Sequence, residues 1–245
     1  MTRLTFVLLF AAALLAGCHK DPDWPPSGTI RLVVEPTWNG TPFDKTQAHV
    51  TIADERVLIQ QVKFFMSPIE LRGANGSIAL SEAELFDLTN GKEQRSYTVA
   101  EGAFDSLRFG LGLPAGLNHA DITQVVPPSP LDFSQGMYWG WATMYRFLLF
   151  DGRFDPQPAG QGTPPYQFSI HTGRDQCYRT RTVALPVQVR QQGTTTVTLN
   201  VDIARFFTDG DSLLVLGSGS QSHGEVQSLP IAERLSDFAI KAINP

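Results

Sequence analysis

Between Ser106 and Leu113 the large hydrophobes fall on every second residue: Leu107, Phe109, Leu111 and Leu113, with Gly110 and Gly112 between them. A period of two places all four on one face of an extended strand. The intervening glycines leave room for another backbone or a bulky side chain to come close. The same kind of run recurs along the chain. Thr29 to Glu35 alternates Ile30, Leu32 and Val34, and Arg56 to Met66 carries Val57, Ile59, Val62, Phe64 and Phe65. That second strand is expected to stop at Ser67-Pro68, because proline cannot donate to a sheet ladder. Ile69 to Arg72 and Ser77 to Leu80 flank Gly73-Ala74-Asn75-Gly76, which reads as a hairpin around Asn-Gly. Glu84 to Leu88, Met137 to Phe150 and Tyr166 to His171 read as further strands, and Val183 to Arg190 with Thr194 to Val201 as a hairpin across Gln192-Gly193.

Two stretches interrupt this pattern. Ala120 to Gln135, with Pro127-Pro128-Ser129-Pro130, is a long connection, and Arg153 to Pro165 is a Pro/Gly-rich loop. At the end, Ile231, Leu235, Phe238, Ala239 and Ala242 follow helical spacing, with Pro230 in the first turn. Many short strands separated by turn signals predict a mainly antiparallel β sandwich or barrel with a short C-terminal helix.

The first residues have the form of a lipoprotein signal peptide over 1–17. Thr2-Arg3 is a positive n-region, Phe6 to Leu15 an apolar core too short to span a bilayer, and Leu15-Ala16-Gly17-Cys18 resembles a bacterial lipobox. Cys18 would then be lipidated and would anchor the chain to the membrane. Residues 18–28 read as the lipidated cysteine and a proline-stiffened tether, and 29–245 as one β domain. His19 rather than Asp follows the cysteine, which resembles sorting to the outer membrane, facing the periplasm, in enteric bacteria.

With Cys18 used, Cys177 is the one thiol left, so no internal disulfide can staple the fold. Stability must come from burial, which 42% hydrophobic residues can supply. A formal charge of −5 without a basic block argues against nucleic acid as a partner. No carboxylate pair, nucleophile elbow, phosphate loop or zinc-protease motif is present, so the chain is not expected to be an enzyme.

The chemistry-bearing residues gather around Met137-Tyr138-Trp139-Gly140-Trp141, with Asn118-His119 upstream and Phe168-Ser169-Ile170-His171-Thr172-Gly173 downstream. In one extended strand Trp139 and Trp141 would share a face. Indole is a donor only, whereas imidazole is the commonest metal ligand. Taken singly, each residue has a plainer reading: His119 as a turn residue, the tryptophans as core or interface aromatics. His49 and His223 lie outside these motifs and read as surface histidines that could add an imidazole. Cys177 could offer a thiolate, or be a partly buried free thiol. Met137 and Met144 could offer thioethers, with core packing as the plainer role.

Taken in order, Phe65-Met66-Ser67-Pro68-Ile69-Glu70-Leu71, Leu107-Arg108-Phe109-Gly110-Leu111, Asn118-His119, the Trp-x-Trp run followed by Tyr145-x-Phe147, and the Phe168 to Gly173 strand end resemble the MbnP-like proteins. These are periplasmic or lipid-anchored copper proteins named for a methanobactin-associated member. The resemblance runs from about Thr29 to about Phe207. It implies copper, held by His119 and His171 together with one tryptophan, Trp139 or Trp141, oxidised to kynurenine. It also implies a diheme partner enzyme of the MauG or cytochrome c peroxidase type that performs the oxidation. Kynurenine replaces a ring N–H with an amine and a ketone, turning a donor into a potential ligand. Two imidazoles and a weak nitrogen donor in an apolar wall favour Cu(I) over Cu(II), which prefers tetragonal N/O sites. The implied role is copper acquisition, storage or transfer at the cell envelope. The alternative is a metal-free β-sandwich lipoprotein for surface binding or adhesion, its tryptophans forming core or a sugar-stacking platform.

Overall fold

The computed structural model describes residues 26–140, 143–218 and 220–245. The signal segment, Cys18 and most of the tether lie outside these residues, as does Trp141. Along the chain the strands are β1 (Ser27–Trp38), β2 (Thr41–Pro42), β3 (His49–Val50), β4 (Arg56–Gly73), β5 (Gly76–Ser81), β6 (Glu84–Asp87), β7 (Glu93–Ala100) and β8 (Gly102–Leu111). After a one-turn helix α1 (Ala115–Asn118) come β9 (Tyr138–Gly140), β10 (Met144–Asp155), β11 (Tyr166–Gly173), β12 (Arg179–Val189), β13 (Thr194–Asp202) and β14 (Gln221–Ser222). Helix α2 (Leu229–Ala242) and β15 (Ile243–Asn244) close the chain. Among the described residues, no helix is long and apolar enough to cross a membrane.

Two open sheets make a sandwich. The smaller has the order β15-β13-β1-β2, with β7 also on β1. The larger runs β12-β8-β4-β10-β11-β14, with β3, β5 and β6 on β4 and β9 on β10. Most pairs are antiparallel; β1–β13 and β11–β14 are parallel. The sheets do not close into a barrel, so of the two expected β architectures the sandwich holds.

Ile30, Leu32, Val34, Val197 and Leu199 of the smaller sheet face Phe64, Leu107, Phe109, Phe150 and Phe168 of the larger one across the main core. Each such fully buried side chain contributes about 1.5–3 kcal/mol relative to exposure. A second, smaller core covers the outer face of the larger sheet: Phe65, Leu113, Met137, Tyr145, Phe147, Leu149 and Cys177, with Ala232 from α2. Two covered faces explain the consecutive Phe64-Phe65, one entering each core. They also place Met137 in packing. Met144 is exposed at a hairpin, its Sδ 4.0 Å from the Tyr138 hydroxyl.

Four sequence expectations are corrected. The strand over Arg56 to Met66 does not stop at Ser67-Pro68 but continues to Gly73, across a cis peptide and register shifts that absorb the proline. Val183 to Arg190 and Thr194 to Val201 are strands but not a hairpin, since β12 pairs with β8 in one sheet and β13 with β1 in the other. The turn between them crosses from sheet to sheet, with Gln192 N–H donating to the Ser27 carbonyl at 2.8 Å. Met137 to Phe150 is not one strand but two, β9 and β10, joined by a reversal with positive φ at Gly140 (57°) and Met144 (61°). β10 also runs past the expected end at Phe150 to Asp155.

The glycines of the 106–113 run act as their pattern predicts. A Cβ at Gly110 would sit 2.1 Å from the Ser67 carbonyl oxygen and 2.6 Å from the Tyr178 hydroxyl; at Gly112 (φ +93°) it would meet the Phe147 ring at 2.4 Å. Cys177 is 1% exposed, and burial pushes its thiol up, against the pull of Gly173, Ser236 and Arg179. A buried, protonated thiol is a poor nucleophile. Folded protein should therefore leave a disulfide-exchange chromophore unreacted at pH about 8, near the pKa of a free thiol, and titrate one further thiol in denaturant. Rapid reaction of Cys177 in the folded chain would contradict this packing.

Candidate metal centre at the edge of the larger sheet

Strand alternation sends Phe168 and Ile170 of β11 into the main core and Ser169 and His171 to the other face. On β10, Asp151 pairs directly with Ser169, and Leu149 with His171. A carboxylate, a hydroxyl and an imidazole thus meet on adjacent strands. The His171 Nε2 lies 2.8 Å from Asp151 Oδ1 and 3.1 Å from Ser169 Oγ, and Ser169 Oγ lies 2.7 Å from the same carboxylate oxygen.

The next edge brings a second imidazole. β14 adds in parallel beside β11, Ser169 pairing with Gln221 and Ile170 with Ser222, so the following residue, His223, arrives alongside His171. The ring centroids are 5.0 Å apart, and His223 Nε2 is 2.9 Å from Ser169 Oγ. The His223 loop is fixed at both ends. The Glu55 carboxylate, 3% exposed, accepts the Leu216 and Gly217 N–H groups at 2.8 Å each. Arg174 Nε donates to the Gly224 carbonyl at 2.8 Å, and the His223 N–H donates to Glu225 Oε2 at 2.9 Å.

Trp139, carried by β9, closes the third side. Its ring lies edge-on to His171 at 5.8 Å and to His223 at 5.7 Å. The Arg146 guanidinium stacks over the indole at 4.9 Å and donates to the Gly136 carbonyl. That cation–π contact and the β9–β10 turn hold the ring in place.

Burial, then the neighbouring His171 ring, push the His223 imidazole below its ordinary value, against the pull of Glu225 and Asp151. Burial pushes the Asp151 carboxyl up, but its hydrogen bonds from His171 and Ser169 and the nearby imidazoles outweigh this and hold it below the usual range.

Of the residues expected from the sequence, His171, His223 and Trp139 come together. His119 lies elsewhere in its contacts: it is exposed, with Nε2 paired to Asp175 Oδ2 at 2.9 Å. Its neighbour Asn118 is buried, accepting the Tyr145 N–H at 3.1 Å and donating to Asp175 at 2.9 Å. The Asn-His pair therefore ties the α1 turn to the β9–β10 hairpin and to the end of β11. His49 stacks on Trp38 at 4.4 Å and bonds the Asp44 carbonyl, apart from the cluster. No sequence motif marks Asp151, Ser169 or Arg146 as a site residue. The i, i+2 parity of Ser169 and His171 was the available signal for one of them.

The fit to a metal can be judged on one atom. His171 Nδ1 is buried and has no hydrogen-bond partner among the described residues. Burying an unmet polar atom costs about 1–3 kcal/mol, so such an atom calls for a ligand or an ordered water. An imidazole whose other nitrogen is held by a carboxylate is the arrangement found at metal-ligating histidines. Two imidazoles beside an aromatic wall suit copper better than hard cations that want oxygen donors. Among the described residues, no group of three or more His, Cys, Asp or Glu is placed to hold a metal ion, so a metal here relies on two imidazoles and a donor outside that set.

A sequence comparison with curated proteins gives no significant match. Among solved structures the chain is similar to MbnP from Methylosinus trichosporium, with 14% identity, a TM-score of 0.46, and 76% of this chain and 79% of that one covered. The family model described as MbnP matches residues 27–222, from the first strand to the residue before His223. That match takes in both sheets and nearly the whole site, and the chain belongs to the MbnP family.

Proposed function

We propose that this protein binds copper at the cell envelope, as a carrier or store and not as an enzyme, and that the metal sits among His171, His223 and Trp139. The reading is carried by one observation: the buried His171 Nδ1, without a hydrogen-bond partner among the described residues, on a ring flanked by a second imidazole and an indole edge. Membership of the MbnP family supports copper over other metals. Two imidazoles with no carboxylate in the ligand set favour Cu(I). Copper, when bound, supplies the affinity that acquisition or transfer requires. The chain's own residues supply the rest. His171 and His223 offer nitrogen donors, Asp151 orients His171, and Trp139 and the smaller core keep water from one side.

Anchoring through a lipidated Cys18 and oxidation of Trp139 or Trp141 by a diheme partner belong to the same proposal. Trp139 faces the imidazoles, so its conversion to kynurenine would bring an amine donor toward them.

The test is competition for Cu(I) against a chromophoric chelator under anaerobic conditions. His171→Ala and His223→Ala should each lose at least about a hundredfold in affinity, in line with losing one strong ligand. His119→Ala and His49→Ala should bind as the unsubstituted protein does. Loss of binding in His119→Ala with full binding in His223→Ala would overturn this ligand set. Intact mass of the peptide holding both tryptophans, from protein made with and without the diheme enzyme, tests the modification.

A further inference from the structure

We propose that Asp151, directly for His171 and through the Ser169 hydroxyl for His223, fixes both histidines in the same tautomer, protonated on Nε2, so that Nδ1 is the nitrogen each ring leaves free for a metal. Asp151 and Ser169 are thus positioning residues for a pair of ligands. The inference rests on the copper site proposed above, and it follows from counting protons. A serine hydroxyl has one proton to give. Ser169 Oγ lies 2.7 Å from Asp151 Oδ1, and an ionised carboxylate only accepts. The hydroxyl proton must therefore point at Asp151; otherwise two oxygen lone pairs would face each other at hydrogen-bond distance.

With its proton spent, Ser169 Oγ can only accept from its other neighbours. His223 Nε2, 2.9 Å away, must then be the N–H donor. His171 Nε2 lies 2.8 Å from the same carboxylate oxygen and must likewise carry a proton. A proton on His171 Nδ1 instead would leave an N–H buried without an acceptor and turn a bare nitrogen toward a carboxylate. One carboxylate and one hydroxyl thereby set two imidazoles, leaving Nδ1 as the bare nitrogen of each ring. The strand register makes this possible. Asp151 pairs with Ser169, and Ser169 and His171 share a face of β11. β14 adds in parallel with Gln221 opposite Ser169, so His223 arrives alongside His171 with its Nε2 in reach of the Ser169 hydroxyl.

The relay is read directly by long-range ¹H–¹⁵N correlation spectra of the imidazoles in metal-free protein, in mildly alkaline buffer where free imidazole is neutral. Both His171 and His223 should show a protonated Nε2 and a bare Nδ1. Ser169→Ala should release His223 to a mixture of tautomers while His171, still held by Asp151, keeps its form. Asp151→Ala should release both. Backbone amide dispersion in the same samples checks that the variants are folded, and the spectrum of the unsubstituted protein stands if either variant is not.

In Cu(I) competition, Ser169→Ala should weaken binding by about 10–100-fold with both ligands still present, the range for losing an outer partner of a metal-bound histidine. A proton on Nδ1 of either ring, or a His223 tautomer unmoved by Ser169→Ala, would overturn the relay. Absence of copper binding in the unsubstituted protein would overturn the copper reading instead, and the tautomers would still be measured in that same protein.

Discussion

Phe150→Ala is expected to lower stability by about 3–5 kcal/mol, the cost of emptying a buried phenylalanine site. Phe150 is fully buried, on the central strand pair of the larger sheet. Its ring lies 5.1 Å from Phe168, 5.2 Å from Phe206 and 5.4 Å from Phe207. These four rings join β10 and β11 to the turn after β13, so they are where one sheet locks to the other. Rings of this size cannot slide inward to fill the space, and the cavity term adds to the lost transfer energy. The thermal midpoint should fall by roughly 6–20 °C, given about 2–4 °C per kcal/mol for a chain of this size. The neighbours of Phe150 on the opposite face, Leu149 and Asp151, lie on the site side. Copper affinity of the fraction that remains folded should change little. A midpoint within two or three degrees of the unsubstituted protein would show that these rings are not the anchor between the sheets.

The fold was largely legible because a sandwich writes itself in periods of two. The alternations at 29–35, 106–113 and 166–171 became β1, β8 and β11, and the helical spacing at the end became α2. Pairing was less legible, because the period of a strand says which face is buried and nothing of which strand lies beside it. β12 and β13 are joined by a short turn with glycine, the sequence form of a hairpin, yet β13 pairs with β1 in the other sheet. β7 went unseen because Glu93 to Ala100 alternates exposed and half-buried polar residues, with Val99 its one fully buried hydrophobe. Proline at Pro68 misled because a strand can carry one where its register shifts.

The site was legible in part. His171 and Trp139 stood out because they belong to motifs. His223 lies outside the motifs, since a loop histidine comes beside His171 only when β14 adds to β11, a long-range pairing that leaves no local trace. His119 stands in a motif, yet its neighbours explain the pair in structural terms: Asn118 satisfies a backbone N–H of the hairpin that carries Trp139. Asp151 falls just past the strand expected over Met137 to Phe150, between it and a glycine. Gly152 instead lets Phe168 and the Leu58 carbonyl pack against the strand, where a Cβ would come within 2.7 Å and 2.5 Å of them. The carboxylate beside it is thereby free for the site.

Gly224→Ala is expected to reduce Cu(I) affinity by roughly 10–100-fold, equivalent to about 1.4–2.8 kcal/mol, while leaving the fold intact. Gly224 has φ +91°, a conformation that costs a side-chain-bearing residue about 1–3 kcal/mol. Its new Cβ would also lie 2.3 Å from Thr143 Cγ2. Thr143 cannot withdraw easily. It is 6% exposed, and on its other side a Cβ at Gly173 would come within 2.8 Å, so the threonine is wedged between two glycines. The loop is the softer partner. Beyond the two ladder-paired residues of β14, His223 and Gly224 are held by the Arg174 and Glu225 hydrogen bonds, so this stretch should yield first and carry His223 away from His171. Stability should fall only slightly, which separates this variant from Phe150→Ala. Adding Thr143→Ser removes the colliding methyl but not the strain at φ +91°, and should restore part of the affinity. If Gly224→Ala binds copper as the unsubstituted protein does, His223 is not a ligand and the metal does not lie between β11 and β14.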